Sequence, residues 1–220
     1  MSQIPVLKNR FLDRSEAGRR LVEPLSRYGA RPDVIVLGLP RGGVPVACEV
    51  ASALQVRLDV LVVRKLGAPG HPEYAMGAIA GGGVQILNDD ALRTFKVDRD
   101  AFAAVLDRET RELARREQAY RAGRPPLNLK DQVVILIDDG LATGASMLAA
   151  VEAVRRQGPA RLVVAVPVAP PDTLEALRNE VDEVVCPLVP ERMVSVGYWY
   201  EDFPQTSDEE VVALMQQAGA

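Results

Sequence analysis

Aromatic residues make up only 5% of this 220-residue chain, and histidine occurs once. Stacking platforms for single-stranded nucleic acid are correspondingly scarce. The two cysteines, Cys48 and Cys186, are far apart, so they support neither a close-spaced zinc motif nor a disulfide framework. Cys48 sits in an Ala/Val-rich run and reads as a small buried side chain. No uninterrupted apolar run reaches the roughly 18 residues of a membrane span, and the start lacks a secretory apolar segment. A cytoplasmic protein without membrane contact is expected. Neither charge sign dominates: 26 Lys and Arg stand against 30 Asp and Glu, a formal charge of −4 that argues against wholesale wrapping of nucleic acid. Also absent are a Gly-Lys-Ser/Thr Walker loop and a Gly-x-Gly-x-x-Gly fingerprint. Apolar residues make up 48% of the chain, enough for an ordinary core, and residues 1–220 are expected to form one domain.

The most informative stretch runs from Val133 to Ser146. Val133-Val134-Ile135-Leu136-Ile137 is apolar without a break and mostly β-branched, which suits a strand buried on both faces of a parallel sheet. Asp138 and Asp139 follow, then Gly140-Leu141-Ala142-Thr143-Gly144-Ala145-Ser146, and then a helix-forming run over 147–157. Small residues let backbone N–H groups approach an anion, Thr143 and Ser146 can add hydroxyls, and a helix N-terminus adds partial positive charge. A phosphate in that turn would repel the two acids, so they need other partners. Adjacent diol hydroxyls, or a metal with its waters, are suitable. Phosphate, diol and metal together describe a phosphorylated ribose.

A second strand, glycine turn and helix comes earlier. Val34 to Leu39 reads as a buried strand, Pro40-Arg41-Gly42-Gly43 as the turn, and Val44 to Leu54 as the helix. The turn supplies backbone donors, and the Arg41 guanidinium can address two phosphate oxygens. Leu58 to Val63 reads as a further strand, followed by a Gly/Pro-rich loop over 64–74 that carries Arg64, Lys65, His71 and Glu73. Such a loop can fold over a polyanion and exclude water.

Residues 133–146 resemble the diphosphoribose-binding motif of the type I phosphoribosyltransferases: apolar strand, two acids, short spacer, then Thr-Gly-x-Ser. Leu141-Ala142-Thr143-Gly144 is similar to the uracil enzymes, and the acid pair to the purine and orotate enzymes. The resemblance covers roughly residues 30–90 and 130–200. It implies an α/β fold with a central, mostly parallel sheet flanked by helices and a small C-terminal hood. It also implies a 5-phosphate in loop 140–146, ribose 2′- and 3′-hydroxyls on Asp138 and Asp139, and Mg²⁺ held by the same two acids, through water. The turn at Pro40, Arg41, Gly42 and Gly43 would bind pyrophosphate, with a non-proline cis peptide at Pro40–Arg41. Arg64-Lys65, then Pro-Gly and later Glu73, resembles the catalytic loop of the adenine enzymes, which makes Arg64, Lys65, His71 and Glu73 candidates. A Val-Gly-Tyr piece after the last strand is similar to the base-covering hood of purine-type relatives. It nominates Met193, Val194 and Tyr198 within a hood at about 187–205.

The implied reaction moves ribosyl 5-phosphate from 5-phosphoribosyl 1-diphosphate to a nucleobase-like acceptor, in a homodimer. One departure matters. In the hypoxanthine-guanine enzymes an acid precedes the Thr-Gly, and here Ala142 stands in that place, which disfavours a 6-oxopurine acceptor. The competing class is a regulatory protein that binds a phosphoribosyl ligand without turnover. A sugar-phosphate hydrolase would need a nucleophile that the chain does not display.

The remaining chain frames these motifs. Residues 12–28 read as an amphipathic helix with Asp13 in its opening turn and Pro24 as an interruption, and Ala75 to Ala80 with Val84 to Leu87 as a hairpin across Gly81-Gly82-Gly83. Residues 98–123 read as one long charged helix whose Arg/Glu pairs are mostly solvated; next to minimal members of the resembled family it looks like an insertion, one that either joins subunits or borders the site. Strands at 162–168 and 181–186 alternate with a helix at 170–179, and Ser207 caps a last helix.

Overall fold

The computed structural model describes residues 10–218 apart from 82, 96 and 122, and not the side chains of residues 72, 73 and 89. Strands β1 (Val34–Gly38) and β6 (Val133–Ile137) are buried at every position and pair in parallel, Val34 opposite Val133 through Gly38 opposite Ile137. Outside β1 lies β2 (Arg57–Val60); outside β6 lie β7 (Arg161–Ala165) and then β8 (Glu183–Val185). The order is β2-β1-β6-β7-β8, with all four pairings parallel.

The two faces of this sheet explain the unbroken apolar strands. Val34, Val36, Val133 and Ile135 point into one core with helices α1 (Arg14–Leu25) and α2 (Gly43–Leu54). Their neighbours Ile35, Leu37, Val134 and Leu136 point into the other, against α5 (Ala145–Arg155) and α6 (Pro171–Arg178). Side chains alternate across a strand, so a strand covered by helices on both faces must be apolar at successive positions. Helix α1 is shorter than the 12–28 expectation. Asp13 is its cap, accepting from Glu16 N at 2.7 Å, and past Pro24 the chain tightens into a 3₁₀ turn over Ser26–Tyr28.

The region after β2 differs from the sequence expectation. Leu58 to Val63 is not one strand, and residues 64–74 are not a loop. The chain leaves the parallel sheet at Val60 and enters a separate antiparallel sheet of β3 (Val63–Ala68), β4 (His71–Ala80) and β5 (Val84–Leu87). Arg64 and Lys65 lie within the ladder, opposite Ile79 and Ala78. Pro69 and Gly70 alone make the reversal, Gly70 with φ +77°. The density of Gly and Pro here marks one tight turn and a register shift around Gly67, where it had suggested an open loop.

Helix α3 (Asp89–Thr94) follows, capped by Asn88, and then the long α4 (Arg99–Arg121). Helix α4 packs on β3 and on the last helix, α7 (Asp208–Gln217), which Ser207 caps as expected. Asp59, the acid that interrupts β2, is buried against Arg121 of α4, with N–O distances of 2.9 and 3.1 Å. Among the described residues no helix is long and apolar enough to cross a membrane.

Gly43 shows how tightly the start of α2 approaches the C-terminal end of β6. A Cβ there would stand 2.7 Å from the Ile137 carbonyl oxygen and 2.8 Å from Asp138 Cα, both backbone atoms. Gly43→Ala is expected to cost about 1–3 kcal/mol, read as a lower urea midpoint at unchanged slope.

Candidate active site

Strands β1 and β6 are neighbours whose chains depart in opposite directions, β1 toward β2 and β6 toward β7. Such a divergence opens a crevice at the strands' C-terminal edge, where ligands bind in open α/β sheets. The turn after β1 forms one lip. Leu39 N donates to the Ile137 carbonyl at 2.8 Å, Gly43 N to Leu39 O at 3.0 Å, and the Pro40–Arg41 peptide is cis. Gly42 abuts the Asp139 carboxylate closely enough that a Cβ would collide with it.

Asp138 and Asp139 form the other lip. Asp138 Oδ1 accepts from Asp139 N at 2.9 Å. Asp139 Oδ2 accepts from Arg14 Nε at 2.9 Å, and the Tyr200 hydroxyl donates to the Asp139 carbonyl at 2.5 Å. Loss of hydration raises the Asp138 pKa well above the usual carboxylate range, and the neighbouring Asp139 charge adds to the rise. Asp139 is also raised by burial, but the Arg14 guanidinium opposes that shift. The compensation is one-sided: no ion pair to Asp138 is found among the described residues.

Past the acids, the turn is pinned from behind. Leu141 N donates to Val168 O at 2.9 Å while its side chain enters the core, and Thr173 of α6 donates to the Ala142 carbonyl at 2.8 Å. Gly144 takes φ +71° beside Thr173, a conformation and a fit that favour glycine. Helix α5 then begins at Ala145, two residues before the sequence reading, with no side chain capping its N-terminus. Thr143 is exposed and Ser146 half-buried. Uncapped N–H groups, two hydroxyls and a small-residue turn leave this end of α5 fit for an anion.

The C-terminal segment closes over this turn. Val196 sits against Gly140, Phe203 carries the Arg14 guanidinium 3.8 Å above its ring, and Tyr200 reaches Asp139. Met193 packs into the cluster of Phe11, Trp199 and Tyr200; Val194 is 65% exposed; Tyr198 lies beneath Arg10. A cleft of about 570 Å³ opens beside the Pro40 turn, lined by Pro40, Arg64, Lys65 and Ser146 and by residues of α4. Arg64 is engaged there by Glu109, and Arg41 lies 3.7 Å from Asp208 of α7. His71 packs against Phe95 and Tyr74 at the start of β4. The Glu73 side chain lies outside the described residues.

A model of the family described as Phosphoribosyl transferase domain matches residues 11–201. The chain belongs to that family. A Mycobacterium tuberculosis H37Rv protein provisionally named phosphoribosyl transferase Rv0571c is 47% identical over 208 residues, 94% of this chain and 47% of its own length. Its counterpart in strain CDC 1551, MT0597, matches to the same extent. The chain thus spans about half the length of the curated relatives it matches. The crystal structure of TT1426 from Thermus thermophilus is 46% identical, with a TM-score of 0.82 over 94% of this chain and 98% of that one. The parallel α/β sheet with flanking helices is therefore the phosphoribosyltransferase fold.

Within that fold, the sequence reading missed Arg14, Tyr200 and the α4 residues Arg108, Glu109 and Arg116. Arg14 stands 125 positions from Asp139 and had only the capped start of a helix to mark it. The Asp138 environment has a consequence for stability. Its folded-state pKa exceeds the unfolded value, so the folded chain holds more protons between the two, and stability falls as pH rises through that window. Asp138→Asn removes this penalty. Calorimetry should show the variant melting higher at pH 8 by about 3 °C, the shift that about 1 kcal/mol gives in a chain of this size. The difference should close toward pH 4, and a variant that melts lower at neutral pH would contradict the assignment.

Proposed function

We propose that the chain is a phosphoribosyltransferase that moves ribosyl 5-phosphate from 5-phosphoribosyl 1-diphosphate to a nitrogenous base and releases pyrophosphate. The observation that carries this reading is the convergence, at one crevice, of the acid pair, the uncapped α5 turn and the Pro40–Gly43 turn. Loop 140–146 would receive the 5-phosphate on backbone N–H groups with Thr143 and Ser146. Asp138 and Asp139 would orient the ribose hydroxyls. The Pro40–Gly43 turn and Lys65, which lines the adjoining cleft, would face the diphosphate.

Among the described residues no group of three or more His, Cys, Asp or Glu side chains could hold a metal alone. The donors nevertheless suit Mg²⁺, which commonly takes one or two carboxylates and completes its shell with waters and substrate phosphates. Asp138, desolvated and without a cation of its own, is the residue that such an ion would relieve. When bound, Mg²⁺ would neutralise charge on the departing diphosphate. The chain's own work is to hold the ribose in place and keep cations beside the leaving group while positive charge develops on the sugar. Ala142 offers no proton-handling group, so the acceptor is read as a pyrimidine, an adenine-like base or another nitrogen nucleophile in preference to a 6-oxopurine.

A binder without turnover is the second reading. The observation that favours it is that Arg14 already occupies Asp139 and Glu109 already occupies Arg64. A panel of bases with 5-phosphoribosyl 1-diphosphate and Mg²⁺, monitored for pyrophosphate, separates the two. Release that depends on the base is expected; binding without release would establish the second reading, and release without any base would mean hydrolysis. The Asp138→Asn, Asp139→Asn double variant should fold and bind the donor at least about tenfold more weakly, as the loss of charge-assisted contacts implies.

A further inference from the structure

The sequence reading takes the charge pairs of α4 as mostly solvated, but one face of the helix, buried at Val105 and Glu109, borders the cleft. Val105, Arg108, Glu109 and Arg116 line the 570 Å³ cleft together with Pro40, Lys65 and Ser146 of the candidate site. Positions 105, 109 and 116 recur at helical spacing and share that face. Glu109 is only 7% exposed. Its Oε2 accepts from Arg64 Nε at 2.9 Å and Nη2 at 2.5 Å, and its Oε1 from Arg108 Nε at 3.0 Å. One carboxylate thus holds a guanidinium from β3 and another from α4 at the same wall. Arg116, also partly buried, donates to Glu112 at 2.6 Å.

The lining of the cleft carries Arg64, Lys65, Arg108 and Arg116 against the single acid Glu109. Cations confined to a cleft repel one another and concentrate field there, an arrangement that a polyanion relieves. The space is also ample, since small-molecule sites typically measure about 300–1,000 Å³.

We propose that α4 forms the outer wall of the diphosphate pocket, with Arg108 and Arg116 as further binding residues for the diphosphate and Glu109 as the positioning residue that aims Arg64 into it. The inference rests on the phosphoribosyltransferase reading of the site. Guanidinium forks suit phosphate oxygens in a way that solvated helix pairs do not. The same face then accounts for Glu109, a buried acid among the lining cations: one carboxylate fixes the geometry of two guanidiniums.

Titration calorimetry of the full chain with inorganic pyrophosphate, and separately with ribose 5-phosphate, tests this. The Arg108→Gln, Arg116→Gln double variant should bind pyrophosphate about tenfold more weakly or worse, with ribose 5-phosphate affinity within about twofold of the parent. Arg111→Gln, on the exposed side of the same helix, should leave both affinities unchanged. Where the double variant does not fold, Arg108→Gln alone, at the more exposed of the two positions, should show a loss confined to pyrophosphate. Unchanged pyrophosphate affinity, an equal loss of ribose 5-phosphate, or the same loss in Arg111→Gln overturns the inference while leaving the reading of the site intact. A parent chain that binds neither ligand overturns both.

Discussion

Asp138 and Asp139 stand side by side and half-buried where β1 and β6 part, each with its pKa raised by lost hydration. Much of the surrounding structure answers that constraint. Helix α1 delivers Arg14 to Asp139, and the C-terminal segment supports Arg14 from behind with the Phe203 ring and the Pro204 carbonyl, which accepts from Nη1 at 2.7 Å. Tyr200 takes the Asp139 carbonyl, and burial pushes its phenol pKa upward, so it remains a donor. On the opposite lip glycine is required at 42 and 43 because the acids and their backbone leave no room for a Cβ. The site is therefore assembled by both ends of the described chain closing on a pair of charges in its middle. Asp138 has no ion pair among the described residues, and lost hydration beside Asp139 raises its pKa and disfavours its charged form.

Legibility in the sequence followed locality. Strands β1 and β6 could be read because burial on both faces leaves an unbroken apolar run, and the loop after β6 because its acids, glycines and hydroxyls are consecutive. The cis Pro40–Arg41 peptide was anticipated only through the family resemblance and the position of the turn. By contrast, Arg64 and Lys65 were read into a loop because the Pro69-Gly70 turn was given too much length; Arg64 shares a strand face with the buried Leu66 and Ala68, and Lys65 takes the other. Arg14 and Tyr200 could not be found at all, since their meaning lies in partners far along the chain. Leu141 was read with its loop, and the structure puts its side chain in the core, leaving only its backbone to the turn.

Helix α4 is the clearest case of a pattern whose reading depends on what lies opposite. Its Arg/Glu alternation is the signature of a solvated helix, and Arg111 with Asp107 fits that description. One face away, the same residue types are held by tertiary contacts. Tyr120 and Arg115 both donate to Asp208 of α7, at 2.6 and 3.1 Å, and the Arg41 guanidinium approaches the same carboxylate. Asp208 thus ties the Pro40–Gly43 turn, α4 and α7 to one point, and the Tyr120 hydrogen bond first, then Arg115, hold its pKa below the ordinary value.

The cations nearest the proposed diphosphate side are thereby occupied by the protein's own acids: Arg64 by Glu109, Arg41 by Asp208, Arg116 by Glu112. This bears on affinity as much as on structure. A phosphate that engages these guanidiniums would gain the difference between its own contacts and those of the carboxylates already there, so on the proposed reading donor binding would be an exchange of anions. The exchange differs from pair to pair. Arg64 shares the buried Glu109 carboxylate with Arg108, so either guanidinium can turn toward a ligand while the other continues to neutralise that acid. Arg41 is held at 3.7 Å by a carboxylate that keeps Tyr120 and Arg115, so it can turn toward a ligand without stranding a charge. A site arranged in this way keeps its positive groups ordered before the ligand arrives, yet leaves each acid a second partner when its first is drawn away.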